Sequence, residues 1–576
     1  MKKTILDILL SFAWISAIAQ QNVVPKDTSQ YNASIWDDST ESGVVQRLIG
    51  NQNTPGYLII TVPKYLNAVN KFTDWKRTLG FNVRLVCQNS WNEASISTAI
   101  SNESIYDIKY LLIVGDFADV PGKYTSNTLL VNGNYVSYNF YTDYYYGCIG
   151  NSSTPAMARG RLSVSTAAEA MTVIDKIINY ERDPVNDSLF YNTAVNCTCF
   201  IDDNNDGRDD DICSQITEEI TVYMTNHVGK NIHRVYYAPY LVSPIYWYDG
   251  SSVPSELLKS NGFAWNGNSA NISNHINSGV FYALHESHGN YNHWGYPYFY
   301  LSSISNLTNG NKLPVVFSMN CLTGKYNMDV CFAESFLRKQ NGGCVAIIAP
   351  SEETCSGYDE ALTTGMFDAI WPGNGYFKSI PYGNPVTLYS TPTYRLGDVL
   401  DVGLANMQTI IDYNDNHQLK HTKETYHLFG DPAMEIFTAN PTPFSNVTIE
   451  RNNNYVHVSL LEEARISFYN TSSGLVESIY DTNASYPDAS DLRICVSKHN
   501  KIPLIIDKGV LFLQNGEIAS SVTYKADTIK VGTNITNLKS AGEFVVKGGN
   551  TILQGEEVIL NDETTISANA QFEMKN

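Results

Sequence analysis

The sequence predicts an α/β protein built on a parallel sheet over about residues 56–440, followed by an all-β tail. Three observations predict it. Short apolar runs alternate with segments of helical period, the runs are apolar on both faces as strands covered on each side must be, and the helical period stops near 440. In chain order, 57–62 reads as a buried strand. Leu66, Val69, Phe72, Trp75 and Leu79 then recur at spacings of three and four, the stripe of an amphipathic helix, and Gly80 ends it. Residues 82–87 are extended again, and 110–114 form a second buried strand closed by Gly115 and Asp116. Thr166 and Glu169 make a capping box ahead of Met171, Ile174 and Ile178. These elements define a first unit, 56–185.

The second unit, 186–440, repeats the alternation. A strand at 193–200 leads through an acidic loop, 202–211, to a helix around 218–224 and a strand at 232–237. Three further buried runs follow at 280–284, 315–319 and 344–349, with helices expected between them. Leu396, Leu400, Leu404, Met407 and Ile411 mark a late helix, and Gly430, Asp431 and Pro432 close the unit. Beyond it, short β runs at 447–449, 455–460, 465–468 and 493–496 predict a small sandwich over 441–508. The last segment, 509–576, repeats apolar residues at short intervals between glycines 532, 542, 549 and 555, which predicts a β-solenoid or stacked hairpins.

Composition narrows the function. The 576 residues hold 38 Lys and Arg against 58 Asp and Glu, a formal charge of −20, which argues against nucleic acid as a partner. Lys2 and Lys3 precede an apolar run from 5 to 18, with small residues at Ala17 and Ala19, so residues 1–19 read as a signal peptide and the chain as exported, extracellular or on the cell surface; 20–55 is a polar segment. That run is shorter than the ~20 residues a bilayer crossing needs, and no later segment spans. Ten cysteines in an exported chain allow disulfides or a free catalytic thiol.

Catalytic groups in open α/β sheets collect at the carboxyl ends of the strands. The run 280–284 leads to His288 and Gly289, and 315–319 leads directly to Asn320 and Cys321. An imidazole beside a thiol can take its proton, leaving a thiolate expected to titrate below the ordinary ~8.5. His285, Glu286, His288 and His293 offer a metal site as the alternative, although their spacing is not His-Glu-x-x-His. Asp202, Asn204 and Asp206 occupy the first, third and fifth places of a calcium loop, with Gly207 sixth. The twelfth is Cys213, so a complete EF-hand is excluded and structural Ca²⁺ would need ligands from elsewhere.

The chain resembles the gingipain-type cysteine peptidases across roughly 56–440. The resemblance rests on Asp74-Trp75-Lys76; on Leu111 to Asp116 with Val120-Pro121; on Gly160-Arg161 and the helix end at 177–182; on His288-Gly289; on Cys321 with Gly324; on Cys331 to Glu334; on 345–349; and on Phe429 to Pro432. It implies a caspase-like, three-layer sheet in two subdomains, with an immunoglobulin-like sandwich at 441–508. It also implies a cysteine endopeptidase acting on protein or peptide substrates through a thioester acyl-enzyme, with His288 as acid/base and Cys321 as nucleophile. The amides of Gly289 and Cys321 would form the oxyanion hole, and no cofactor takes part in catalysis. Asp202 is the implied auxiliary acid, and either Asp211 or Ser214 holds the place that selects a basic residue in arginine-specific members. Ser287 and Asn320 depart from the Gly and Ala usual before the two catalytic residues, which leaves a silent surface-binding protein or a transpeptidase as alternatives. The C-terminal module would contact the cell surface or a secretion machinery.

Overall fold

The computed structural model describes residues 53–131, 134–150, 152–373, 391–410, 417–561 and 564–575. The expected signal peptide and nearly all of the polar segment after it lie outside the described residues.

Ten strands form one sheet: β1 (Gly56–Thr61), β2 (Asn82–Cys87), β3 (Ile108–Val114), β4 (Ala158–Leu162), β5 (Thr193–Cys199), β6 (Asn231–Tyr237), β7 (Tyr282–Glu286), β8 (Val315–Met319), β9 (Ala346–Pro350) and β10 (Tyr426–Phe429). Their order across the sheet is β2-β1-β3-β4-β10-β9-β8-β7-β5-β6. Every residue of β7, β8 and β9 is buried, which requires cover on both faces and explains their unbroken apolar runs. The ladders β2-β1-β3-β4 and β9-β8-β7-β5-β6 are parallel within themselves.

The sheet departs from the all-parallel expectation at one junction: β10 runs parallel to β4 but antiparallel to β9, so the two halves of the sheet run in opposite directions. The helix His417–Thr425 delivers the chain to the carboxyl end of β9, where the Ser351 amide donates to the Thr425 carbonyl at 2.8 Å, so the strand can only run back along β9. On its other edge β10 pairs with β4 of the first unit, a seam that joins the two predicted α/β units into one sheet. Motif residues hold it. Lys76 pairs with Asp431 and, at 2.7 Å, with Glu181, while Trp75 donates to Glu181 at 2.8 Å and Tyr57 to Asp431 at 2.8 Å. Arg161 forks onto Asp143 at 2.7 and 2.8 Å and donates to the carbonyls of Gly115 and Val120. A polar hairpin, Lys123–Val131 with Asn134–Thr142, has no counterpart among the expected elements.

The tail contains a β-solenoid. Val510–Leu513, Thr528–Val531 and Glu557–Leu560 stack in parallel, as do Gly516–Ile518, Phe544–Val546 and Thr564–Ile566, and Val522–Lys525, Asn550–Gln554 and Gln571–Lys575. The preceding strands do not make the self-contained sandwich expected at 441–508. Val447–Asn452 pairs in parallel with Val522–Lys525, and Leu504–Asp507 pairs antiparallel with Val510–Leu513. The solenoid's first coil supplies two strand edges, and closing on them lets one core run from Phe444 to Leu553. The tail docks on the α/β unit through Arg493 to Asp74 (2.8 Å) and Ser467 to the Thr78 carbonyl (2.5 Å).

Candidate active site

β7 and β8 are parallel neighbours in which Glu286 stands opposite Met319. His288 and Cys321 each lie two residues past that pair, so an equal overshoot places both just beyond the same carboxyl edge of neighbouring strands. Gly289 permits the approach. A methyl group on its Cα would lie 2.6 Å from the Cys321 carbonyl oxygen and 2.7 Å from Asn320 Oδ1, closer than any side chain tolerates.

Ser287 and Asn320 turn away from the cleft into the sheet. Ser287 Oγ lies 2.9 Å from Cys199 Sγ. Asn320 Nδ2 donates to His285 Nδ1 at 2.9 Å, and its Oδ1 accepts from Thr323 Oγ1 at 2.7 Å. His285 donates its other ring nitrogen to the Gly295 carbonyl at 3.2 Å and stacks on Trp294, and burial holds its pKa down to about 3. Both its nitrogens are committed, so the alternative of a histidine metal site is not assembled. Among the described residues, the one group of His, Cys, Asp and Glu close enough to share an ion is Asp211, Cys213 and Glu360.

The thiol differs from expectation. Cys321 is half-buried and accepts at Sγ from the Thr354 amide at 3.4 Å. Burial, with the carboxylates of Glu353 and Asp359 adding to it, pushes its pKa up to about 12 rather than below the ordinary value. Burial also lowers His288, against which Asp211 and then Asp203 favour the charged ring. Both shifts favour the uncharged forms, the thiol and the neutral imidazole. All ten cysteines are unpaired, nine of them apart from this site.

Asp202 is occupied elsewhere: its two carboxylate oxygens accept from the amides of Asp206 (3.0 Å) and Gly207 (2.9 Å). Asn204 Oδ1 accepts from the Asp206 amide and Asp206 Oδ1 from the Arg208 amide, so all three expected calcium ligands hold their own turn. Asp211 stands just ahead of the helix Cys213–Asn226 and accepts from Ser356 Oγ at 2.6 Å. Ser214, the other residue at that place, donates to Asp209.

Sequence reasoning missed the acids gathered behind the pair. Asp209, Glu286 and Asp359 are buried and pushed well above the usual carboxylate range, and Glu360 is raised to about 7. Burial is the main cause, and the charges that add to it are other carboxylates: Glu360 on Glu286 and Asp359, and Asp211 on Glu360. Their partners are hydroxyls, a thiol and amides: Thr363 on Glu286 (3.0 Å), Cys213 on Glu360 (3.1 Å), Thr354 on Asp359. The segment after β9, Ser351 to Glu360, carried the signal, because it too comes after a buried apolar run.

A cysteine-peptidase arrangement on an α/β sheet is the class these residues define. The family model described as Peptidase family C25 matches residues 50–437, and the chain belongs to that family. It is 23% identical over 496 residues to gingipain R2 of Porphyromonas gingivalis, which covers 81% of this chain and 59% of the relative. It is 22% identical over 461 residues to Lys-gingipain W83 of the same organism, covering 76% of this chain and 24% of the relative. The chain thus spans well under two thirds of these relatives' length. Among solved structures, that of the Arg-specific cysteine proteinase gingipain R superposes with a TM-score of 0.62 at 22% identity, covering 79% of this chain and 98% of that one, which shows a shared fold.

Proposed function

We propose that the protein is an exported cysteine endopeptidase of caspase-like, two-subdomain architecture, acting through Cys321 and His288. The observation that carries this is the equal overshoot of the two residues beyond the Glu286–Met319 pair. On attack, His288 takes the Sγ proton as the S–C bond forms, with the oxyanion received by the amides of Gly289 and Cys321. The imidazolium then protonates the leaving amine, and water hydrolyses the thioester. A proton moves within the pair at the moment of attack, which suits a thiol stored neutral.

The auxiliary role passes from Asp202 to Asp211 and Asp203, the carboxylates that favour a charged His288. Asp211 also leads the unpaired acids, and a basic substrate side chain is the cation that group lacks. No step uses a metal or cofactor, and Ca²⁺ at the 202–206 loop would be structural. Ser287 and Asn320, which pointed to a silent protein, face away from the cleft and leave the pair unobstructed. Among the described residues no helix is long and apolar enough to cross a membrane. Contact with a cell surface or secretion machinery falls in this reading on the terminal coil, where Leu560, Ile566 and Met574 are exposed.

The test is to express residues 20–576 with and without Cys321→Ala and profile cleavage of a mixed peptide library. Cleavage after basic residues that vanishes in the variant supports the reading, and products joined to an added amine would replace hydrolysis with transpeptidation. Absence of any cleavage, with or without Ca²⁺, would overturn it.

A further inference from the structure

Past His288 the chain folds into a small three-stranded sheet, Gly289–Asn290, His293–Trp294 and Phe299–Tyr300. From Tyr296 to Tyr300 its side chains alternate between outward-facing and buried. Trp294, Pro297 and Phe299 are buried, with Trp294 and Phe299 packed on Phe336, while His293, Tyr296, Tyr298 and Tyr300 are partly or fully exposed. The outward rings are ordered against one another. Tyr298 and Tyr300 stack at 5.6 Å and 7°, Tyr296 and Tyr298 lie 4.7 Å apart, and Tyr237 from the end of β6 stacks on Tyr296 at 5.2 Å. His293 joins the row 5.4 Å from Tyr300. Tyr296 holds φ at 38°, a left-handed conformation that an L-residue keeps only where its surroundings enforce it.

Five aromatic rings in contact, turned to solvent although the same strands bury three other large residues, constitute a built surface rather than leftover core. Its position is specific. The Gly295 amide donates to the His288 carbonyl at 2.8 Å, so the residue that leads into the row at Tyr296 is tied to the backbone of the proposed acid/base residue. In peptide hydrolysis the acid/base protonates the departing amine, so the substrate segment beyond the scissile bond leaves along the histidine side of the cleft.

We propose that the row Tyr237, Tyr296, Tyr298 and Tyr300 is the binding site for the substrate segment on the carboxyl side of the scissile bond, and that it selects an aromatic side chain there. The inference rests on the peptidase reading. Flat rings with hydroxyl rims offer edge-to-face and offset stacking to Phe, Tyr or Trp, and nothing comparable to Asp or Ala.

The experiment uses the full chain and three substrates sharing one basic residue before the scissile bond. Two are internally quenched peptides with Phe or Ala two residues beyond the bond, and the third is a short amide whose leaving group is the fluorophore alone. The wild type should prefer Phe over Ala by about threefold to tenfold in kcat/KM. Tyr298→Ala should abolish that preference while leaving hydrolysis of the short amide within about twofold, because a substrate with no leaving segment never meets the row. Tyr298→Phe should keep the preference. A merely structural role for Tyr298 predicts equal losses on all three substrates. Equal losses, or a preference that survives in the double variant Tyr296→Ala/Tyr298→Ala, would overturn the subsite. Cleavage of the short amide without any preference for Phe would overturn it alone, and cleavage of none of the three would overturn the peptidase reading beneath it.

Discussion

Two clusters of buried charge sit on the same sheet and are built on opposite rules. At the seam, Lys76 meets Asp431 and Glu181, and Arg161 forks onto Asp143. Near the proposed catalytic pair, Asp209, Glu286, Asp359 and Glu360 are buried with hydroxyls, a thiol and amides as partners, and the charges acting on the last three are those of other carboxylates, Asp211 among them. Burying a charge is costly unless it is paired, so the seam keeps its charges by pairing them, whereas a cluster of one sign is driven towards its neutral form, as the raised carboxyls show. Lys76, Arg161, Glu181 and Asp431 at the seam all fall in the motifs that carry the resemblance. The contrast shows that the most recognisable residues of this chain are those that join its halves.

The comparison breaks most sharply on activity. His288→Ala or Cys321→Ala should lower kcat/KM by about 10⁴-fold or more with an unchanged melting temperature. Asp143→Ala should do the reverse in kind: it strands Arg161 in the interior and should cost about 3–5 kcal/mol of stability, read by denaturant titration. Asp211→Asn should reduce the preference for a basic residue before the scissile bond by roughly tenfold or more, while Tm stays level or rises as repulsion with Glu360 is relieved. A large Tm loss instead would mean that Asp211 is architectural.

The smallest effect is in pH. Glu360, with a folded pKa near 7, binds protons in the folded state that the unfolded chain releases above its ordinary range, so its contribution weakens stability as pH rises from about 5 to 8. Asp143 has the opposite sign: Arg161 holds it low, and its stabilisation is lost only as pH falls through that lowered value. Glu181 at the seam, raised to about 7 by burial, shares the sign of Glu360. Thermal melts across pH 5–8 should therefore slope downward, and the slope should become shallower in Asp211→Asn.

Much of this fold is legible in the sequence. Eight of the ten sheet strands, all but β4 and β10, announce themselves as apolar runs or extended segments, and the residues just beyond the carboxyl ends of two such runs are His288 and Cys321. β10 escapes sequence reasoning because four residues carry no periodicity, and the hairpin at 123–142 because its strands are largely polar and exposed. The acid cluster is assembled from segments near 209, 286 and 360, so no local spacing could reveal it. The thiol shifts upward, against the sequence expectation, because burial, which a sequence does not print, outweighs the lowering effect of the Thr354 hydrogen bonds. The Asp202 carboxylate accepts from the amides of its own loop, an orientation set by loop geometry that spacing in the sequence does not reveal.

Ten free thiols make one measurement decisive. Acid-quenching the protein during turnover of a slowly deacylating ester with a basic residue before the scissile bond, then mapping the acyl group by mass spectrometry, identifies the nucleophile directly. The account predicts a thioester on Cys321 and none in His288→Ala. An acyl group on Cys199, Cys213 or Cys355, or turnover with no covalent adduct at all, would contradict it.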